Sequence, residues 1–263
     1  MITSVSNEKV KHIVRLQKKA SARQEENCFL VEGVKMAQEL PVERLVLAYA
    51  SESFAARPEQ KALCRRLRAE TVADHVLAAM SDTRTPQGIL AVVRRRELAA
   101  QEVWQGKAPL VLVLERLQDP GNLGTILRTA EGAGVTGVLL SEDCVDLYNP
   151  KVIRSTMGSI YRLPAACAAN LPEAVARMRA AGLCTYAAHL KGEKAYDEED
   201  YRGGAAFLIG NEGAGLSPQL AAASDRYIRI PMAGQVESLN AAVAAAVLTY
   251  EANRQRRKGK SGG

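Results

Sequence analysis

Six side chains in the second half of the chain have types and positions from which chemistry could be built. They are Asn122, Arg128, Asn211, Glu212, Ser238 and Asn240. They lie in or just after three polar, glycine-containing stretches: Asp119–Gly124, Gly210–Gly215 and Pro231–Asn240. An apolar run that reads as a buried strand precedes each stretch. Loops leaving the carboxyl ends of neighbouring parallel strands converge on one crevice. Amides, one carboxylate, one guanidinium and many backbone N–H and C=O groups suit an uncharged or zwitterionic heterocyclic ligand. A metal centre is not expected, because no His/Cys/Asp grouping is present.

Each of these residues also has a plainer reading. Arg128 could be an ordinary surface arginine. Its neighbours Ile126, Leu127, Ala130 and Ala133 predict a mostly enclosed helix, in which a guanidinium needs an anionic or carbonyl partner. Asn122 is either a helix N-cap or a site residue. Ser238 is a candidate N-cap without a capping-box partner, since position 241 is Ala. Asn240 falls in an apolar first turn, where a buried amide wants partners. Gly210–Gly215 is either a structural turn or a close backbone approach to a ligand. Gly132-Ala-Gly134-Val-Thr-Gly137 matches a dinucleotide-binding pattern by letter, but it ends a helix and precedes a strand, the reverse of what that chemistry needs. His12, His75 and His189 are isolated.

The elements that must position these groups follow from periodicity. Pro109–Leu114, Val138–Leu140, Cys184–Ala187, Ala206–Ile209 and Tyr227–Ile230 predict strands, with helices at about 123–133, 171–181, 218–223 and 239–253. Asn170 is the expected cap of the second helix and Gly182 its stop. The residues before them alternate strand and helix as a small α/β domain, led by an amphipathic helix at 6–21 with Val10, Ile13, Val14 and Gln17 inward. Lys11, Arg15, Lys18 and Lys19 on its outer side, with Arg23 just beyond it, are the expected polyanion contacts. The predicted division is 1–95, a linker at 96–106, 107–253, and a basic tail at 254–263.

Charge follows that division. Residues 1–105 hold 17 basic and 13 acidic side chains, 106–253 hold 13 and 16, and the last ten hold 5 and none. Positive charge therefore gathers in the first segment and the tail, as a polyanion-binding protein or a generic basic protein would have it. The five scattered cysteines contain no CxxC pair and suggest reduced, packed thiols. No apolar run is long enough to span a bilayer and no leader pattern opens the chain, so a cytoplasmic protein is expected.

Three motifs in order and spacing make the chain similar to one family. Asn122-Leu-Gly124 with Arg128, Ala130 and Gly134 resembles the first motif of the SpoU/TrmH-type RNA ribose methyltransferases. Phe207-Leu-Ile-Gly210-Asn211-Glu212-Gly213 resembles the second, and Ile230-Pro-Met232 through Gly234 to Ser238-Leu-Asn240 the third. Asp146-Leu-Tyr-Asn149-Pro150-Lys151, Arg154 and Gly158 are similar to these enzymes as well. The resemblance is firm over 107–251. Residues 1–95, with Phe29–Gly33 and Thr83–Gly88, look less specifically like the family's ribosomal-protein-like substrate-binding domain.

The resemblance implies an α/β fold: a C-terminal SPOUT domain with a mostly parallel sheet and a deep trefoil knot, plus a small N-terminal α/β RNA-binding domain. General topology argues against a knot, so that expectation rests on the likeness alone. The implied donor, S-adenosyl-L-methionine, would sit bent among the three loops, against Leu208, Ile209, Gly210, Asn211, Gly213, Ile230, Met232, Ser238 and Leu239. Arg128 would be the catalytic arginine, with Asn122, Glu212, Ser238 and Asn240 aligning the reacting groups. Lys151 and Arg154 would join the RNA contacts. The implied partners are RNA, expected to be 23S ribosomal, and a second copy of the chain, with no metal and no membrane. Transfer RNA is the alternative substrate, and a non-catalytic RNA-binding ribosome-assembly protein the alternative class.

Overall fold

A computed structural model describes residues 1–260, without the side chain of Lys260; residues 261–263 of the expected tail lie outside the described residues. The chain forms two compact units, one of residues 1–97 with 146–161 and one of 98–145 with 162–263.

In the first unit, α1 (Glu8–Lys18) starts at Asn7, whose side chain accepts the Lys9 N–H. Val10, Ile13 and Leu16 are its buried residues, whereas Val14 and Gln17 are only half-buried. Each buried aliphatic contributes roughly 1.5–3 kcal/mol. A short α2 (Ala20–Glu25) leads to β1 (Cys28–Glu32), α3 (Val34–Glu39), β2 (Leu45–Ser51), α4 (Glu52–Ala55), α5 (Lys61–Arg66), β3 (Glu70–Val72), α6 (Asp74–Met80) and β4 (Ile89–Arg94). The sheet order is β1-β4-β2-β3. β4 is antiparallel to both neighbours, and β2 is parallel to β3.

Residues 146–161 complete this unit rather than the second, where the sequence reading had put them. Asn149 caps α8 (Pro150–Thr156) through the Lys151 N–H at 2.9 Å. The Tyr148 ring stands 5.1 Å from that of Phe29, itself fully buried, and the Tyr161 hydroxyl donates to the Met36 carbonyl at 3.1 Å. Phe29 needs apolar cover on its side of β1, and these tyrosines supply it. The segment ends in α9 (Ser159–Arg162).

The second unit holds β5 (Leu110–Leu114), α7 (Pro120–Gly132), β6 (Gly137–Ser141), β7 (Ala165–Ala168), α10 (Leu171–Ala180), β8 (Cys184–Ala188), β9 (Lys194–Ala195), β10 (Ala205–Ile209), α11 (Pro218–Ala223), β11 (Arg226–Arg229) and α12 (Ala241–Lys260). Its sheet runs β7-β6-β5-β10-β8-β11-β9 with parallel pairings. β5, β6 and β10 are almost wholly buried, as their unbroken apolar runs require. Asn170 and Gly182 bound α10 as expected, the glycine at φ +88°.

Two boundaries differ from expectation. The stretch read as a linker sends Val103 and Trp104 into the core of this unit; a Cβ on Gly137 would lie 2.3 Å from the Val103 carbonyl oxygen. The tail expected from 254 is instead the end of α12. Arg256 donates to the carbonyls of Ala108, Pro109, Tyr201 and Gly203 at 2.6–3.3 Å, and burial pushes its pKa down. A guanidinium with four carbonyl acceptors keeps the helix going where its charge suggested solvent. Among the described residues no helix is long and apolar enough to cross a membrane.

Candidate active site

Asp119, not Asn122, caps α7: its Oδ1 accepts the Asn122 N–H at 2.7 Å, and Pro120 takes the first helical position. The Asp-Pro pair carries that signal in sequence. Asn122, one turn inside, is thereby released from capping and uses its side chain across the loops. Its Nδ2 donates to Glu212 Oε1 at 3.0 Å, and its Oδ1 accepts from Asn240 Nδ2 at 3.0 Å. Asn240, not Ser238, caps α12, accepting the Ala242 N–H at 2.9 Å. It is exposed and precedes the helix, so it is not the buried first-turn amide the sequence suggested.

These bonds have one direction. A carboxylate only accepts, so Asn122 must turn its NH₂ to Glu212 and its oxygen to Asn240. Asn240 must then offer its own NH₂, because its oxygen is taken by the amino end of α12. A polar relay runs from that helix end through Asn240 and Asn122 to Glu212, and it ties the three loops together. Glu212 also accepts from the backbone N–H groups of Gln118 and Asp119, each at 3.3 Å. Desolvation alone would raise its pKa, but the Asn122 amide and then the backbone donors outweigh it and hold the carboxyl below the usual glutamate range. The backbone donors at Gln118 and Asp119 were missed in the sequence, where nothing marks them.

The second loop is drawn tight by its own backbone. Asn211 and Gly215 exchange N–H···O bonds at 3.1 and 3.0 Å, and a Cβ on Gly210 would fall 2.1 Å from the Gly215 carbonyl carbon. Asn211 Oδ1 accepts the N–H groups of Gly213 and Ala214 at 2.9 and 3.0 Å. Beyond the buried Leu208, Ile209 and Gly210, the loop leaves Gly213 open to solvent. Ile230, Met232 and Leu239 are half-buried in the irregular third loop, and a Cβ on Gly234 would meet nothing within 4 Å. Open glycine backbone in the second loop and half-buried apolar side chains in the third are the kinds of group an adenosyl ligand needs. Among the described residues no group of three or more His, Cys, Asp or Glu side chains is placed to hold a metal ion. The sheet order adds a loop that the sequence could not place: β8 stands between β10 and β11, so His189–Gly192 leaves the sheet between the second and third loops.

Arg128 and Ser238 are not drawn into the relay. Both are exposed and neither has a hydrogen-bond or ion-pair partner among the described residues. The expectation of an enclosed Arg128 is corrected: Leu123, Ile126, Leu127 and Ala130 face the core, and Arg128 shares the outer face with Gly121, Thr125 and Gly132. It lies about 9 Å along the helix from Asn122.

The RNA-contact candidates all belong to the first unit. Lys18, Lys19 and Lys151 are exposed. Lys11 pairs with Glu8, Arg15 with Glu26 and Arg154 with Asp82. Arg23 is a correction. At 3 % exposure it donates to the Leu16 and Gln17 carbonyls and pairs with Asp146, so its guanidinium is an internal tie.

The SpoU rRNA Methylase family model matches residues 109–250, and that of the MRM3-like substrate binding domain matches 7–91. An uncharacterized tRNA/rRNA methyltransferase of Synechocystis sp. is 36% identical over 97% of this chain and 93% of its own. The Bacillus subtilis 23S rRNA (guanosine(2553)-2'-O)-methyltransferase RlmP is 34% identical over 95% of this chain and 97% of its own. The structure of the SpoU methyltransferase AviRb from Streptomyces viridochromogenes with AdoMet aligns at a TM-score of 0.86 and 30% identity, covering 95% of this chain and 98% of that one. The chain belongs to the SpoU rRNA methylase family. It has the SPOUT-like α/β fold with a separate N-terminal α/β substrate-binding domain, and it transfers methyl groups from S-adenosyl-L-methionine to ribose 2'-hydroxyls of RNA.

Proposed function

We propose that the enzyme methylates a ribose in 23S ribosomal RNA, that it acts as a homodimer in the cytoplasm, and that the three joined loops are its active site. The observation that carries the site is the one-way relay Asn240–Asn122–Glu212, which holds all three loops in one arrangement. The rRNA assignment draws support from the name of the Bacillus relative and from the separate N-terminal unit with its exposed lysines.

S-adenosyl-L-methionine supplies an electrophilic methyl group when bound. Leu208, Ile209, Gly210, Asn211, Gly213, Ile230, Met232 and Leu239 would hold it, mainly through backbone. The Ser238 hydroxyl, exposed beside them, is available to orient the ribose. Arg128 holds the nucleotide's phosphate and stabilises charge developing on the 2'-oxygen. A guanidinium is a poor general base, so its role is electrostatic.

The face Arg128 occupies supports the dimer reading. Beside it, α12 exposes Val243 and Tyr250, two turns apart on one side, and a Cβ on Gly132 would meet the Tyr250 hydroxyl at 3.2 Å. A second copy laid on this apolar strip would bring Arg128 to a neighbouring pocket. Labelled methyl incorporation into purified 23S rRNA and, separately, into tRNA tests the substrate. Label in 23S rRNA is expected, and label confined to tRNA would reject it.

A further inference from the structure

Glu115 is the first residue after β5 and is nearly buried, at 9 % exposure. Its carboxylate reaches the far end of the second loop. Oε2 accepts the Ser217 backbone N–H at 2.7 Å and Oε1 accepts the Ser217 hydroxyl at 2.6 Å. Ser217 in turn accepts the Leu220 N–H at 3.2 Å and so starts α11.

The near end of the loop is tied to the same place. The Glu115 N–H donates to the Ile209 carbonyl at 2.9 Å, and Asn211 Nδ2 donates to the Arg116 carbonyl at 2.8 Å. Arg116 adopts φ +54°, a left-handed conformation that an arginine takes at a cost, and its carbonyl also accepts from Gln118 Nε2 at 3.1 Å. Two consecutive residues thus pin the entry and exit of a loop already closed by Asn211 and Gly215. Beside a 3.7 Å ion pair with the neighbouring Arg116 guanidinium, the hydrogen bonds this nearly buried carboxylate accepts come from one serine, a costly way to cap a six-residue helix. The serine's own hydroxyl would do that alone.

We propose that Glu115 is a positioning residue for donor binding: by gripping Ser217 it keeps the Gly210–Gly215 loop in the shape that receives S-adenosyl-L-methionine, without touching the donor. This rests on the reading that the loop holds the donor.

The test is calorimetric titration of S-adenosyl-L-methionine into the full-length enzyme, paired with steady-state kinetics and melting curves. Glu115→Ala should weaken donor binding about tenfold, a fraction of what two hydrogen bonds to a charged acceptor contribute to the loop, and raise the donor KM alike while kcat stays within about threefold. Glu115→Gln should recover most of the affinity, because its amide oxygen can accept the Ser217 N–H while its NH₂ donates to the hydroxyl. The reference variant is Asp225→Ala, which removes the bonds that Asp225, just before β11, accepts from Thr185 near the amino end of β8 and from Arg179 of α10. It should lower the melting temperature and leave donor affinity alone. Equal loss of affinity in Glu115→Ala and Asp225→Ala, or none in Glu115→Ala, overturns the proposal. Asn211→Ala separates the two ideas: if it weakens binding and Glu115→Ala does not, the inference fails and the loop reading stands. If neither weakens binding, the loop does not hold the donor and both fail.

Discussion

Asn122 shows how much of this site depends on which residue does a small job. Because Asp119 takes the cap, the amide is left to join Glu212 and Asn240. Asn122→Ala should raise the donor KM and lower kcat together, since the third loop loses its link to the other two, which stay joined through Glu212 and the Gln118 and Asp119 N–H groups; kinetics with varied donor would reveal it. Arg128→Ala should behave differently, cutting kcat on the order of a hundredfold while donor affinity by calorimetry stays the same. A matching loss of donor affinity would place Arg128 on the donor instead of the RNA. Glu212 predicts a pH dependence. Its folded pKa lies below the ordinary glutamate value, so the stability it contributes is complete above that ordinary value and is lost as pH falls through the lowered one. Melting temperatures of wild type and Glu212→Gln should differ at neutral pH and converge in acid. The letters of these residues were all readable, but their division of labour was not. Asp-Pro at a helix start could have shown that Asn122 was free, whereas nothing local marks Asn240 as its partner, 118 residues away.

At the scale of elements, the parallel strands were legible because burial on both faces writes continuous apolar runs. Their order was not, and so the loop after β8 stayed unplaced. The helix pattern of α1 showed which side is buried near Val10 and Ile13, yet Arg23 was read as surface because a basic letter near a helix end usually is. Its partner Asp146 lies 123 residues on. Arg23→Ala should destabilise the protein by about 3–5 kcal/mol in urea titrations, as expected when a buried ion pair loses one member. A change confined to RNA affinity would restore the surface reading. The end of α12 misled in the same way. Ending the chain after Asn253 should lower stability by about 2 kcal/mol, because the charged donor Arg256 leaves its carbonyls, and the melting temperature would register it.

Over the whole molecule, association and connectivity matter most. Sedimentation should find a dimer, and Tyr250→Glu on the exposed face of α12 should shift it to monomer with methyl transfer lost and the fold retained. A monomeric wild type would remove the reason for Arg128 to face outwards. The excursion 146–161 has a different bearing. The polypeptide passes between the units after Glu97, Val145 and Tyr161. A gene piece stopping at Glu97 would encode a β-sheet whose Phe29 is bare and whose Arg23 has no counterion. Exchanging the recognition module between relatives therefore means moving two stretches of coding sequence together, and chimaeras spliced at a single junction should be insoluble where doubly spliced ones fold.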